Sequence, residues 1–209
     1  MRIAIIGGAG FIGTRLSRRL DNSIHNFEVY DKDTSFCKKA SYLDIEDPTT
    51  LSKIDGSDII INLAAEHRDD VRPLSRYDDV NVQGSINICD AARKHGINKI
   101  VFTSSVAIYG FASPDTDESG TPNYFNEYGR TKYLAEKVFE DWQSEDPENR
   151  TLVILRPTVV FGEGNRGNVY NLLNQIAKGM FVMFGNGMNK KSMAYVENVA
   201  AFLEYSLDF

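Results

Sequence analysis

RIAIIGGAGFIG, residues 2–13, decides the fold. Residues 2–6 form a short apolar run rich in isoleucine, the composition of a buried strand. The run breaks into Gly7, Gly10 and Gly13 in a Gly-x-x-Gly-x-x-Gly pattern, and an amphipathic segment begins at Phe11. A glycine triplet alone is a weak signal. Between a strand and the first turn of a helix it has a physical purpose: the chain turns tightly, and backbone N–H groups come close enough to hold a pyrophosphate at the helix N-terminus. Eighteen residues past Gly13, Asp31 closes the next apolar run. A carboxylate there accepts hydrogen bonds from ribose hydroxyls and repels a 2′-phosphate, so the dinucleotide expected is NAD rather than NADP. Phe11 and Ile12 count with the glycines as cofactor neighbours. Asp44 and Ile45 are expected to border the adenine. Ala64 and Ala65 are small enough to let the dinucleotide lie close.

Outward from this stretch, strand and helix patterns alternate. Strands are expected at 2–6, 27–30, 59–63, 99–103 and 152–156, with a short edge strand at 43–45. Helices are expected at 11–20, 79–95, 128–142 and 169–178, with a last one starting near Val196. A run such as Ile59-Ile60-Ile61 implies burial on both faces, as in a parallel sheet covered by helices. The fold class expected is therefore α/β, a Rossmann-type doubly wound parallel sheet. Residues 1–157 read as the NAD-binding domain. After Pro157 the composition turns rich in Gly and Asn, so 158–209 reads as part of a substrate-binding region.

The chain has 209 residues, 42% hydrophobic and 25% charged, with a net charge of −6. A nucleic-acid binder would carry a basic face, so that class is set aside. Cys37 and Cys89 lie far apart, and His25, His67 and His95 form no ligand cluster, so no metal is expected. No run of about 18 apolar residues offers a membrane span. The N-terminal apolar run is too short for a signal peptide, and a cytoplasmic location is expected.

Tyr128 and Lys132 are four residues apart on a predicted helix and share a face. An ammonium near a phenol stabilises the phenolate and lowers its pKa, which would make Tyr128 a general base for a sugar or alcohol hydroxyl. The spacing alone suits an exposed helix pair equally well. What lifts it is Thr103-Ser104-Ser105, at the carboxyl end of a predicted strand, where open α/β sheets bind ligands. Ser105 can hydrogen-bond a substrate oxygen and relay a proton to Tyr128. Ser105, Tyr128 and Lys132 are the expected catalytic set, and Lys132 could also hold the nicotinamide ribose.

The stretches GGAGFIG, NLAA, NVQG, TSSVAIYG, YGRTK and LRPTVVFG follow one another in this order. The chain resembles the extended short-chain dehydrogenase/reductases, the group of NAD-dependent sugar-nucleotide epimerases and dehydratases. The resemblance implies that Gly7, Gly10 and Gly13 carry the cofactor phosphates. It places Asn81 on the long helix behind the site, and makes Pro157 a cofactor neighbour that starts the substrate loop. Dehydratases of the group carry acid–base residues just after the catalytic serine or threonine. Val106 and Ala107 stand there and cannot transfer a proton, which leaves chemistry at one carbinol carbon: 4-epimerisation through a transient 4-keto sugar. AAEHRDDV (64–71), GNRGNVYNLL (164–173) and KSMAYVEN (191–198) resemble more narrowly the bacterial enzymes that epimerise N-acetylglucosamine linked by diphosphate to undecaprenol.

That resemblance implies Arg166, Asn168 and Lys191 as substrate ligands beside Ser105. It implies a sugar-diphosphate substrate in polysaccharide (O-antigen) biosynthesis, peripheral contact with the inner membrane face, and a homodimer through the two long helices. Relatives run longer, so the substrate-binding region ending at Phe209 is expected to be truncated. Two alternatives stay open on the same residues: an oxidoreductase with net redox turnover, and a non-catalytic NAD-binding module.

Overall fold

The computed structural model describes residues 1–209 except Asp69, Arg166 and Phe184. Six parallel strands form the main sheet: β1 (Arg2–Ile6), β2 (Asn26–Asp31), β3 (Ala40–Tyr42), β4 (Ile59–Asn62), β5 (Lys99–Thr103) and β6 (Thr151–Leu155). Their order is β3-β2-β1-β4-β5-β6, the doubly wound arrangement. β1 pairs with β2 on one side (Ile3 opposite Phe27) and with β4 on the other (Ile3 opposite Ile59). The order reverses between β1 and β4, and at such a reversal a crevice opens beyond the strand ends.

Side chains alternate along each strand and so divide the core in two. Ile3, Ile5, Ile59, Ile61 and Val101 face α1 (Phe11–Leu20) and α6 (Val196–Tyr205), where Leu16, Leu20, Val199, Ala200 and Leu203 meet them. Ala4, Ile6, Ile60 and Phe102 face the other layer, where Ile88 and Ala92 of α3 (Gly84–His95) join Ala135, Phe139 and Trp142 of α4 (Glu127–Ser144). Burial on both faces is why these strands carry unbroken apolar runs. The α1–α6 contact is closed at its rim by Arg15–Glu197 at 3.2 Å and Arg19–Glu204 at 2.7 Å.

Three departures from the sequence reading have physical causes. The edge strand is Ala40–Tyr42, not 43–45. The polar edge residues pair with β2, while Leu43, 1% exposed, turns inward and Thr50 holds the backbone N–H of Asp44. The long helix begins earlier than 79. A three-residue α2 (Ser75–Tyr77) runs through a π-helical stretch, Asp78–Gln83, into α3. β7 (Val159–Phe161) and β8 (Met193–Tyr195), not foreseen, pair in a separate parallel ribbon, with α5 (Asn168–Ala177) between them in sequence. Among the described residues, no helix is long and apolar enough to cross a membrane.

Candidate active site

The glycine turn is built by close backbone approach. Gly7 has φ +76°, and a Cβ on it would lie 2.5 Å from the Ala64 nitrogen. A Cβ on Gly13 would lie 2.5 Å from Gly8 Cα, so α1 can pack on the turn only with glycine there. The turn is tied to the end of β2: Gly8 N–H donates to the Tyr30 carbonyl at 3.0 Å, and Ala9 N–H to Asp31 Oδ2 at 3.0 Å. The other Asp31 oxygen accepts from Asp33 N–H at 3.0 Å. Each carboxylate oxygen keeps further lone-pair capacity, so Asp31 can brace the loop and still receive hydroxyls.

A cleft of about 720 Å³ lies over this turn, within the range of small-molecule and cofactor sites. Gly7, Gly10, Phe11, Ile12 and Gly13 line it, with Asp31 at the end of β2 and Asp44 and Ile45 beyond β3. Ala64 and Ala65 follow β4, and Ser105, Tyr128, Lys132 and Pro157 lie on the β5–β6 side. All the residues expected for cofactor and catalysis thus come to one cavity.

Local structure places the catalytic set. The Asn126 side chain accepts from Gly129 N–H at 2.8 Å and caps α4, which puts Tyr128 in the first turn. Gly129 itself lets α4 dock against the 3₁₀ turn Val106–Tyr109 after Ser105, since a Cβ there would meet the Ala107 carbonyl oxygen at 2.4 Å. The Ser105 hydroxyl accepts from Ala107 N–H at 3.1 Å. Asn81, inside the π-helical stretch, joins the loop after β4 to α4: it accepts from Glu66 N–H at 2.8 Å and donates to Thr131 Oγ1 at 3.0 Å.

The electrostatics differ from the simple sequence picture. Burial pushes the Tyr128 phenol above its ordinary value, opposed only by a hydrogen bond with Ser105. Lys132 is 2% exposed, its ammonium 4.4 Å from the centre of the Phe102 ring. Burial lowers its pKa to about 7, partly countered by the Glu136 carboxylate. The expected lowering of the Tyr128 pKa by Lys132 is therefore absent from this geometry, because desolvation dominates both groups. Behind Lys132, the fully buried Glu136 receives a two-pronged ion pair from Arg156, at 3.0 and 2.8 Å.

The substrate-side expectations fare differently. Asn168, the first residue of α5, and Lys191, just before β8, are exposed and do not line the cleft. Arg166 lies outside the described residues. A smaller hollow of about 260 Å³, flanked by Phe161, Tyr170, Leu173 and Tyr195, adjoins this side, and Asn165 borders both spaces.

Several cleft residues had been given no site role of their own. Thr103 Oγ1 and Ser104 Oγ are buried without a protein partner, and both residues line the cleft. Unpaired buried hydroxyls are costly, by about 1–3 kcal/mol each. Lys32, Glu46 and Arg76 form an ionic group at the Asp31 end. Arg76 lies thirty positions from Glu46, so periodicity gave no sign of that pair.

The model of the NAD dependent epimerase/dehydratase family matches residues 3–209. The chain belongs to this family. An epimerase/dehydratase relative from Escherichia coli O157:H7, N-acetyl-alpha-D-glucosaminyl-diphospho-ditrans,octacis-undecaprenol 4-epimerase, is 47% identical over 98% of this chain, which spans 62% of that protein. Among solved members, the UDP-glucose 4-epimerase of Thermotoga maritima, crystallised with UDP-glucose, superposes with a TM-score of 0.86 at 27% identity, over 100% of this chain and 74% of its own. The Thermus thermophilus UDP-glucose 4-epimerase, in complex with NAD, shares the fold with a TM-score of 0.84 at 22% identity, over 99% of this chain and 74% of that one. The glycine turn and Asp31 of this family member fit a dinucleotide: a cradle that a Cβ would fill and an acceptor for ribose hydroxyls.

Proposed function

We propose that this chain binds NAD and carries the catalytic centre of a 4-epimerase acting on a diphosphate-linked N-acetylhexosamine, with a polyprenol or a nucleotide as carrier. The observation that carries the reading is the meeting of the glycine turn with Ser105, Tyr128 and Lys132 in one cleft. The 47% identity to the undecaprenol-linked 4-epimerase favours the polyprenol carrier. Residues 1–157 serve the cofactor, and 158–209 contribute to holding the sugar diphosphate, with Arg166 and, although they stand exposed outside the cleft, Asn168 and Lys191 as its ligands. A polyprenol-linked substrate stays in its bilayer, so the reaction would take place at the inner membrane face. The exposed faces of α3 and α4 would join two copies.

Bound NAD would supply the acceptor for the carbinol hydride and, once reduced, its donor. Tyr128, ionised once the positive nicotinamide ring of bound NAD offsets the burial that keeps the phenol protonated in the unliganded site, would take the proton of the C4 hydroxyl as that carbon becomes a ketone, and would return it as the carbinol re-forms with inverted configuration. Ser105 hydrogen-bonds the reacting oxygen and carries the proton between it and Tyr128. Lys132, held in place by α4, would hydrogen-bond the nicotinamide ribose. Val106 and Ala107 offer no acid or base for eliminating water.

The test incubates the purified chain with NAD and either UDP-N-acetylglucosamine or the undecaprenyl-diphosphate-linked sugar, while absorbance follows NADH. Galacto epimer without net NADH supports the reading, and the reacting substrate identifies the carrier. Accumulating NADH would instead establish an oxidoreductase. If calorimetry found no NAD binding at all, the reading would fall.

A further inference from the structure

We propose that Glu46 is a specificity-determining residue, disarming two cations at the ribose end of the cleft and so making the site select NAD against NADP. The inference rests on the NAD reading above. Lys32 follows Asp31 directly, and Arg76 reaches the same end of the cleft from α2. A cation so placed is the usual means of welcoming a 2′-phosphate. Here neither is free. Arg76 is gripped by both Glu46 oxygens, Nη1 on Oε1 at 2.5 Å and Nη2 on Oε2 at 2.9 Å, with Asp79 further off at 3.8 Å. Lys32 Nζ bonds Glu46 Oε2 and Asp44 Oδ2, each at 2.8 Å.

Three carboxylates, Asp44, Glu46 and Asp79, therefore pair with these two cations, Glu46 is the one shared by both, and Asp31 lines the same end of the cleft. Its carboxyl is held down to about 2, chiefly by the Arg76 hydrogen bonds and also by Lys32, so it stays charged at any working pH. Both cations are partly exposed and able to swing: the Lys32 side chain is 56% exposed and that of Arg76 36%.

Isothermal titration calorimetry of the whole chain with NAD and with NADP tests this in wild type, Glu46→Gln, Arg76→Ala and the double variant. Glu46→Gln removes one negative charge and frees Arg76 toward a dianionic phosphate. NADP affinity relative to NAD should rise on the order of tenfold. The double variant should lose that gain. Arg76→Ala alone leaves Glu46 with only Lys32 to offset it, so the ratio should fall. This arm keeps the test open should Glu46→Gln fail to fold. NAD binding with an unchanged ratio in both single variants would overturn the role of Glu46 alone. A wild type that binds neither dinucleotide would overturn the NAD reading and this inference with it.

Discussion

Lys132→Met should stabilise the unliganded protein while abolishing turnover. The lysine is 2% exposed, and burial lowers its pKa from the ordinary 10.5 to about 7. That interval corresponds to a penalty of roughly 5 kcal/mol on the charged form. Methionine fills a similar volume without charge but gives up the cation–π contact with Phe102, worth about 1–2 kcal/mol. The net expected gain is about 2–4 kcal/mol at pH 6–7. For a chain of this size that raises the melting temperature by roughly 5–15 °C. The pH dependence has a definite sign. Between pH 7 and 10.5 the unfolded chain holds the lysine proton that the folded chain has released, so wild-type stability rises with pH across this window. Below pH 7 both states are protonated and the full penalty stands. The advantage of Lys132→Met should therefore be largest at or below pH 7 and shrink steadily toward pH 10. Thermal melts by circular dichroism without cofactor, on both proteins at pH 6, 7, 8.5 and 9.5, read this directly. A variant no more stable than wild type at pH 6, or a difference that does not change with pH, would refute a buried, charge-penalised lysine.

Gly13→Ala drives a Cβ into the Gly8 backbone at 2.5 Å, which cannot move aside as a flexible side chain would. NAD affinity should fall about tenfold or more, with a lower melting temperature; calorimetry and melts check both, and wild-type affinity would contradict the packing. Arg156→Ala leaves the fully buried Glu136 carboxylate without its partner, at a cost of about 3–5 kcal/mol. Denaturant titration should also show most of that loss regained in Glu136→Gln/Arg156→Met. Asp31→Ala should weaken NAD binding more than NADP binding, read by calorimetry. Equal losses would mean that Asp31 serves only to brace Ala9 and Asp33.

The residues that sequence reasoning brought together, and that the structure gathers in one cleft, are those whose placement is local. In residues 2–13 the strand, the glycines and the helix start are contiguous, so the turn can be deduced without knowing what packs on it. Tyr128, Lys132 and Ser105 were legible because helix spacing and strand ends fix where side chains emerge. The sign of the electrostatics was not legible. It depends on Phe102 and Glu136 closing around Lys132, and proximity in sequence says nothing about desolvation. Leu43 illustrates the same limit: its apolar character marks core, and here the core contact belongs to a turn beside the strand. Pairing of Val159–Phe161 with Met193–Tyr195 joins three-residue segments across α5, too short and too distant for any periodic signal.

A buried lysine that costs stability needs neighbours that keep it in place, and the architecture around α4 supplies them from three sides. Asn81 ties Thr131, next to Lys132, to the backbone of Glu66. Its place in a π-helical stretch has a use, since one extra residue per turn re-aims a side chain that a regular helix would direct elsewhere. Gly129 seats the start of the helix on the turn after Ser105. Arg156 clamps Glu136 one turn beyond Lys132, and its remaining Nη1 reaches the Tyr109 hydroxyl and the Glu118 carbonyl, so β6, the turn after Ser105 and the loop beyond it are held by one guanidinium. Tyr128 and Lys132 are thus fixed by a rigid helix braced along its length, the preorganisation that proton transfer at a defined oxygen requires. The same bracing explains why the destabilising charge is tolerated: relaxing Lys132 toward water would mean moving α4, and with it contacts worth more than the lysine costs.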